Sequence, residues 1–262
     1  MPAPEILVVL PTLGDRLDTL EQTLESVDEQ RRDADLTLVV IAPPGAADAR
    51  SLAARHGAVV VDDLKQGISA AINRGLDARD GETFYAWIGD DDLFRPGGLA
   101  RLRRLLDEHP DAVLAYGGCE YIDPEGRLIG TSNAGRLATF LLPWGPDLIP
   151  HPGTMVRLDA LEQIGGFDTG LKYAMDLDAF LKLRAHGRFV STREVVSAFR
   201  WHPDSLTVAG RLHSSKESEK VKRRHLPAAL RPLSPVWQYP WRWAASIAAR
   251  RVSAKARSLS SD

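Results

Sequence analysis

The chain has 262 residues, 44% of them apolar, and a net charge of −2, which is room for one large α/β domain, or a domain with an appendage, around a full core. Its single cysteine, Cys119, excludes an internal disulfide, and no Cys/His cluster has structural-zinc spacing, so a reducing compartment fits. No apolar stretch reaches membrane-spanning length and "MPAPEILVVLP" has no basic flank; the expectation is a cytoplasmic protein, neither secreted nor membrane-spanning.

In chain order, Ile6–Leu10, Leu36–Ile41, Ala58–Val61 and Phe84–Ile88 read as buried strands, being short runs rich in Val, Ile and Leu. Between them Leu17–Gln30, Ala47–His56 and Ile68–Ala78 carry helical spacing. That alternation predicts a parallel, doubly wound sheet. After Ile88 the rhythm changes. A helix over Gly98–Glu108 is followed by an extended "AVLAYGGCEYID", a hairpin at "PEGR", and helices near Asp159–Ile164 and Ala174–His186. Gly165 and Gly166 read as a helix C-terminal turn. Charge is divided unevenly: residues 211–262 hold twelve Lys and Arg against three Asp and Glu, leaving 21 against 32 in residues 1–210. An acidic body, 1–210, thus carries a basic helical tail, 211–262.

In a doubly wound sheet the ligand crevice lies beyond the carboxyl ends of the strands. The loops "PTLGD", "APPG", "DDLKQG" and "GDDDLFRPGG" fall there. The last holds Asp90, Asp91 and Asp92, and three adjacent carboxylates need either open water or a cation. With no histidine or thiol near in sequence, the cation they suit is hard, Mg²⁺ or Mn²⁺. A solvated turn at the start of the next helix is the plainer alternative. On a helical wheel Asp176 falls within the apolar arc of Tyr173, Leu177, Phe180, Leu181 and Leu183, while Asp178 and Lys182 sit opposite as an exposed i,i+4 pair. A carboxylate on a core-facing stripe faces a cavity or a partner, and burial raises its pKa toward the range of a general base. An ion pair with Arg184 or a favourable helix-dipole position would also account for it.

Several stretches in order, "VVLPTLGDRLDTLEQTLESVDEQ", "QGISAAINRGLDARDGETFYAWIGDDDLFRPGGL", "HPGTMVRLDALEQIGGFD", "YAMDLDAFLKLRAHG" and "FRWHPDSLT", resemble the family 2 inverting glycosyltransferases over about residues 5–207. The resemblance implies a GT-A fold, a Rossmann-like and mostly parallel sheet flanked by helices. It implies transfer of a sugar from a nucleotide-sugar donor to a glycan or lipid-linked acceptor, with Mn²⁺ or Mg²⁺ as cofactor. Residue by residue it places the metal on Asp91, the donor's ribose or diphosphate on Asp90, a supporting acid at Asp92 and the catalytic base at Asp176. It matches Thr12 to a position that holds the nucleotide, although a hydroxyl there also caps helices. His202 corresponds to a place where relatives bring a histidine near the metal, and His151 to the acceptor side. Both also read as ordinary loop histidines beside proline.

Two departures stand out. "APPG" replaces the acidic turn that usually recognises the base, so Asp62, Asp63 and Lys65 on the next loop become candidate substitutes or a solvated turn. Gly89 stands at the first position of the customary D-x-D. Two other classes share features with the chain. A sugar-1-phosphate nucleotidyltransferase would need a glycine-rich basic phosphate loop, which "PTLGDRLDTL" is not; a non-catalytic sugar-nucleotide-binding relative would not need Asp176 together with Asp90–Asp92. In the tail, Trp241, Ala245, Ala248, Val252 and Leu259 share helical spacing beside Arg242, Arg250 and Arg257. This is the composition of an anchor on an anionic membrane surface, peripheral on its inner face; alternatively Trp237, Trp241 and Trp243 pack on the acidic body. No nucleic-acid module accompanies the basic residues.

Overall fold

The computed structural model describes residues 5–133, 135–201, 211–238 and 240. His202 and the segment from Trp241 to Leu259, with Trp243, lie outside the described residues.

The N-terminal half is the alternating unit expected. Strands β1 (Ile6–Pro11), β2 (Leu36–Ala42), β3 (Val59–Asp62) and β4 (Phe84–Trp87) are linked by helices α1 (Leu17–Gln30), α2 (Ala47–Arg55) and α3 (Ile68–Leu76). β1 pairs in parallel with β2 and β4, and β2 with β3. Successive side chains of a strand face opposite ways, so Leu7 and Val9 enter one apolar core while Ile6, Val8 and Leu10 enter the other. Both faces are covered, which is why these strands read as unbroken apolar runs. α3 lies so close to β1 that a Cβ on Gly75 would stand 2.5 Å from a Val9 methyl.

Beyond β4 the sheet becomes mixed. Its order is β3-β2-β1-β4-β8-β6-β9-β5, with β7 on the outer part of β6. Here β5 is Leu93–Phe94, β6 Ala112–Ile122, β7 Leu128–Ser132, β8 Thr154–Arg157 and β9 Arg188–Arg200. Antiparallel β8 bridges β4 and β6. At four and two residues, β8 and β5 are too short to carry a period of their own; they are strands because of what lies beside them. The hairpin between β6 and β7 closes at Asp123–Arg127, with Gly126 at φ +86°. Helices α4 (Gly98–Glu108), α6 (Leu158–Gln163) and α7 (Met175–Leu183) stand where periodicity places them, and α6 ends in the left-handed pair Gly165–Gly166. Helix α5 (Gly135–Leu141) and the long α8 (Arg211–His225) were not anticipated as elements of the body.

α8 corrects one reading of the α7 wheel. Asp178 and Lys182 do pair, at 2.8 Å, but Asp178 is 1% exposed rather than solvated. α8 lies over that face and brings His225 Nε2 to 2.9 Å from Asp178. These hydrogen bonds outweigh desolvation and hold the Asp178 carboxyl below its usual pKa. Arg184, the alternative partner of Asp176, is exposed.

Candidate active site

Because β1 runs parallel to both β2 and β4, the connections diverge at its carboxyl end, and a crevice opens between the loops after β1 and β4. A cleft of about 530 Å³ occupies that place. Two groups of residues line it: an acidic wall at the turn after β4, and a second wall where Asp176, His151 and Asp147 neighbour one another.

At the acidic wall each aspartate has a different partner. Thr12, at the end of β1 and 5% exposed, donates from its hydroxyl to Asp90 Oδ2 at 2.6 Å and accepts from Gly14 N–H at 3.0 Å. It is not a helix cap; the N-cap of α1 is Arg16, with no side-chain capping bond. Arg16 forms a short ion pair with Asp91 and lies 3.8 Å from Asp90. Asp92 turns inward, 2% exposed, and accepts the Arg200 backbone N–H at 2.9 Å. Burial pushes the Asp90 carboxyl up to about 6 against the Thr12 hydrogen bond, with the Asp91 charge adding to the rise. Burial, then Asp91, carries Asp92 well above the carboxylate range. Gly89 departs from the expected acidic residue for a local reason: the turn folds back until a Cβ there would stand 3.1 Å from Asp91 Oδ1 and 3.2 Å from Asp92 Oδ2.

Among the described residues no three His, Cys, Asp or Glu groups converge in a ready cation site. The donor chemistry nevertheless fits a hard divalent ion, since Asp90 and Asp91 present carboxylate oxygens at the cleft. The positive charge such a pair requires is supplied by Arg16, whose own pKa is raised by Asp90 and Asp91 in spite of burial.

On the second wall Asp176 occupies the second position of α7 with its side chain 28% exposed. Its Oδ1 accepts from Leu177 N–H at 2.7 Å, and its Oδ2 lies 4.0 Å from His151 Nδ1. Desolvation raises its pKa to about 6, and the nearby Glu217 charge adds to the shift. His151 is 6% exposed and stacks on Trp87 with ring centroids 4.3 Å apart. Burial drives its pKa down to about 3, so the imidazole is neutral and gives Asp176 no cationic partner. Two buried polar atoms of residues lining the cleft, Trp87 Nε1 and His151 Nε2, have no hydrogen-bond partner among the described residues, a pattern that calls for an explanation such as a bound water or ligand.

The sequence-predicted residues thus divide. Thr12, Asp90, Asp91, Asp92, His151 and Asp176 are gathered about one cleft. Lys65 is not brought to it. It sits exposed at φ +56°, donating its N–H to Asp63 in a tight turn, and Asp62 pairs with Arg50 at 2.9 Å. Sequence reasoning missed Arg16, Asp147, Arg200 and the α8 residues Glu217 and Lys222. Arg200 fastens the acidic turn. Its guanidinium donates to the Asp91 carbonyl at 2.9 Å, to the Pro124 carbonyl at 2.6 Å and to Gln22 at 2.8 Å. Nothing in "AFRWHP" distinguishes that arginine from a surface one until β9 is laid beside β5 and β6.

The model of glycosyl transferase family 2 matches residues 7–165, which contain the acidic wall and His151 but not α7. Among solved structures the chain is similar to a mannosyltransferase from Pyrobaculum calidifontis in complex with GDP-Man and Mn²⁺. The TM-score is 0.65 at 19% identity, over 99% of this chain and 80% of that one. It is also similar to S. aureus TarS residues 1–349, with a TM-score of 0.63 at 14% identity over 87% of this chain and 68% of that one. The TarS complex with UDP-GlcNAc gives a TM-score of 0.65 at 14% identity, covering 87% and 69% of the two chains. No curated protein sequence matches.

Asp147 generates a pH-dependent prediction. Burial, followed by the Asp176 charge, pushes its carboxyl up to about 7, against the Ile149 N–H bond and Lys222. A folded-state value above the unfolded one means that its contribution to stability is complete below the unfolded value and is lost as pH rises through about 7. Asp147→Asn keeps an acceptor for Ile149 N–H and removes the charge. It should raise the melting temperature by several degrees at pH 8 and by less at pH 5. A variant equally or less stable at pH 8 would show that Lys222 fully compensates the carboxylate.

Proposed function

The chain belongs to glycosyl transferase family 2, and from that premise we propose that it is an inverting, metal-dependent enzyme that moves a sugar from a nucleoside diphosphate to an acceptor hydroxyl. The observation that carries this reading is that the Asp90–Asp91 pair and the half-buried Asp176 line one cleft. One wall suits the departing diphosphate; the other suits proton removal.

In this reading Asp176 accepts the proton of the acceptor hydroxyl as its oxygen bonds to the anomeric carbon, and the bond to the diphosphate breaks on the opposite face of the sugar. A pKa of about 6 leaves Asp176 ionised at neutral pH while keeping it more basic than an exposed carboxylate. A divalent cation, Mn²⁺ or Mg²⁺, bound by Asp91 with Asp90 and His202, would neutralise the charge that grows on the diphosphate. Thr12 holds Asp90 toward the donor, and Arg16, which pairs with Asp91, would give up that carboxylate to a bound cation. Asp92 supports the turn from below through Arg200. Neutral His151 lines the acceptor side without clamping Asp176 as a cation.

Two substitutions separate the walls. Asp91→Asn should abolish the Mn²⁺-dependent thermal stabilisation by the preferred UDP or GDP ligand while preserving the fold; an unchanged metal-dependent shift would remove Asp91 from the site. Asp176→Asn should retain that stabilisation and lose transfer by roughly 10²–10⁴-fold, the usual cost of losing a general base. Near-normal turnover would place the base elsewhere.

For the acceptor we favour a glycan or a lipid-linked sugar. Tyr121, Trp144, Phe199 and Trp201 line the cleft with aromatic surface, and α8 exposes Lys216, Lys220 and Arg223 along one face. Such a face, with the basic segment after it, suits peripheral attachment to an anionic membrane, while Trp237 already packs on Trp144 at 5.7 Å. No helix among the described residues is long and apolar enough to cross a membrane. Sedimentation with phosphatidylglycerol vesicles but not phosphatidylcholine vesicles, reversed by salt, is the expected behaviour. Indifference to lipid charge would leave the basic residues serving the protein alone.

A further inference from the structure

We infer that Glu217, on α8, is the positioning residue for Asp176, fixing the turn from which α7 starts. The inference rests on the reading of Asp176 as the base.

A helix leaves its first N–H groups without intrahelical partners, and α7 has no side-chain cap of its own, since its N-cap is Ala174. The turn before it is held from outside. The Glu217 carboxylate accepts from three successive backbone N–H groups: Lys172 at 3.1 and 3.2 Å, Tyr173 through a short bond, and Ala174 at 2.8 Å. Three consecutive amides converging on one anion form a nest, and each bond is charge-assisted. Asp176 follows Ala174 by two residues, and with Oδ1 engaged by Leu177 N–H, the direction of Oδ2 into the cleft is set by the course of that turn.

The interaction is non-local. Glu217 reaches the turn only when α8 is docked, and α8 is docked by other contacts: buried Val221, Lys222 Nζ on the Gly145 carbonyl, His225 on Asp178 and Arg224 on Asp168 at 3.2 Å. Glu217 is therefore not required to attach the helix, and what it adds is directed at the turn. It also adds charge. Among the described residues, the groups facing Asp176 are Tyr85 from β4, His151 before β8, Asp147 after α5 and Glu217 from α8. The histidine is neutral and the others are phenol or carboxyl, with Lys222 facing Asp147.

Glu217→Gln preserves volume, removes the charge and turns an amide N–H toward the backbone donors. Turnover is followed as nucleoside diphosphate release from a panel of UDP- and GDP-sugars, and the Asp176 carboxyl is titrated by ¹³C NMR. The expected result is a kcat lower by about 10- to 100-fold, the scale of an ångström-sized displacement, with donor KM within about twofold on that same scale. The acid limb of the pH profile and the carboxyl midpoint should both move to lower pH. Arg224→Ala, which loosens the same helix without touching the turn, should lower the melting temperature and move neither pH quantity. If Glu217→Gln does not fold, Glu217→Asp carries the test: charge kept but reach shortened should lower kcat with little movement of the acid limb.

Wild-type kcat and an unmoved carboxyl midpoint in Glu217→Gln, wild-type kcat in Glu217→Asp, or the same pH shifts in Arg224→Ala would each overturn the inference. Failure of the premise looks different. Asp176→Asn would then turn over normally whatever Glu217 does, whereas an inactive Asp176→Asn beside a normal Glu217→Gln would sink the inference alone.

Discussion

Three carboxylates in succession at the mouth of a buried strand repel one another and resist desolvation, and much of the surrounding structure is a response to that constraint. The turn survives because its charges are separated by direction and given different partners. Asp90 takes a hydroxyl, Asp91 a guanidinium, and Asp92 a backbone N–H within the core. Arg200 then ties the turn to the hairpin after β6 and to α1 through one planar group, a use of the fixed guanidinium fork that lysine could not reproduce. The arrangement leaves Asp90 and Asp91 facing the cleft beside Arg16.

The long connections make the constraint useful. Thr12 and Asp90 are 78 residues apart, yet they meet because β1 and β4 are parallel neighbours whose carboxyl ends coincide. The second wall arrives by another route: antiparallel β8 carries His151 to the same end of the sheet, where its ring stacks on Trp87 after β4 has brought it there. Both walls are thus registered on β4, the strand at which the sheet passes from parallel to mixed pairing.

Legibility in the sequence followed this division. The parallel half was readable because strands covered on both faces must be apolar throughout and their crossover helices must be amphipathic; Ile6–Leu10 and Leu17–Gln30 carry those signals without help from distant residues. β8, β5 and α5 were not, because two to seven residues hold too little period and their pairing is decided by neighbours. In the site, Asp90–Asp92 and Asp176 stood out as charge where charge is costly, and Thr12 and His151 through the family resemblance. Arg16, Arg200 and Glu217 did not, since a charged residue in a polar setting is unremarkable until its partner is known. Lys65 shows the converse: adjacent in the loop order, it is turned outward by the Asx turn on Asp63.

The two walls also differ in how their charge is balanced, and in the proposed reading that difference suits them to different tasks. At Asp91 an arginine stands in contact, so a positive charge already faces that carboxylate. At Asp176 the nearest imidazole is neutral, and burial, with the Glu217 charge adding to it, raises the carboxyl's pKa to about 6, so a proton is taken up more readily than by an exposed carboxylate. Moving a sugar between oxygens requires negative charge to be stabilised where the diphosphate leaves and a proton to be taken up where the acceptor attacks. In the proposed reading a single cleft supplies both, and a helix that reads as part of a basic tail folds back to place Glu217 against the turn before α7.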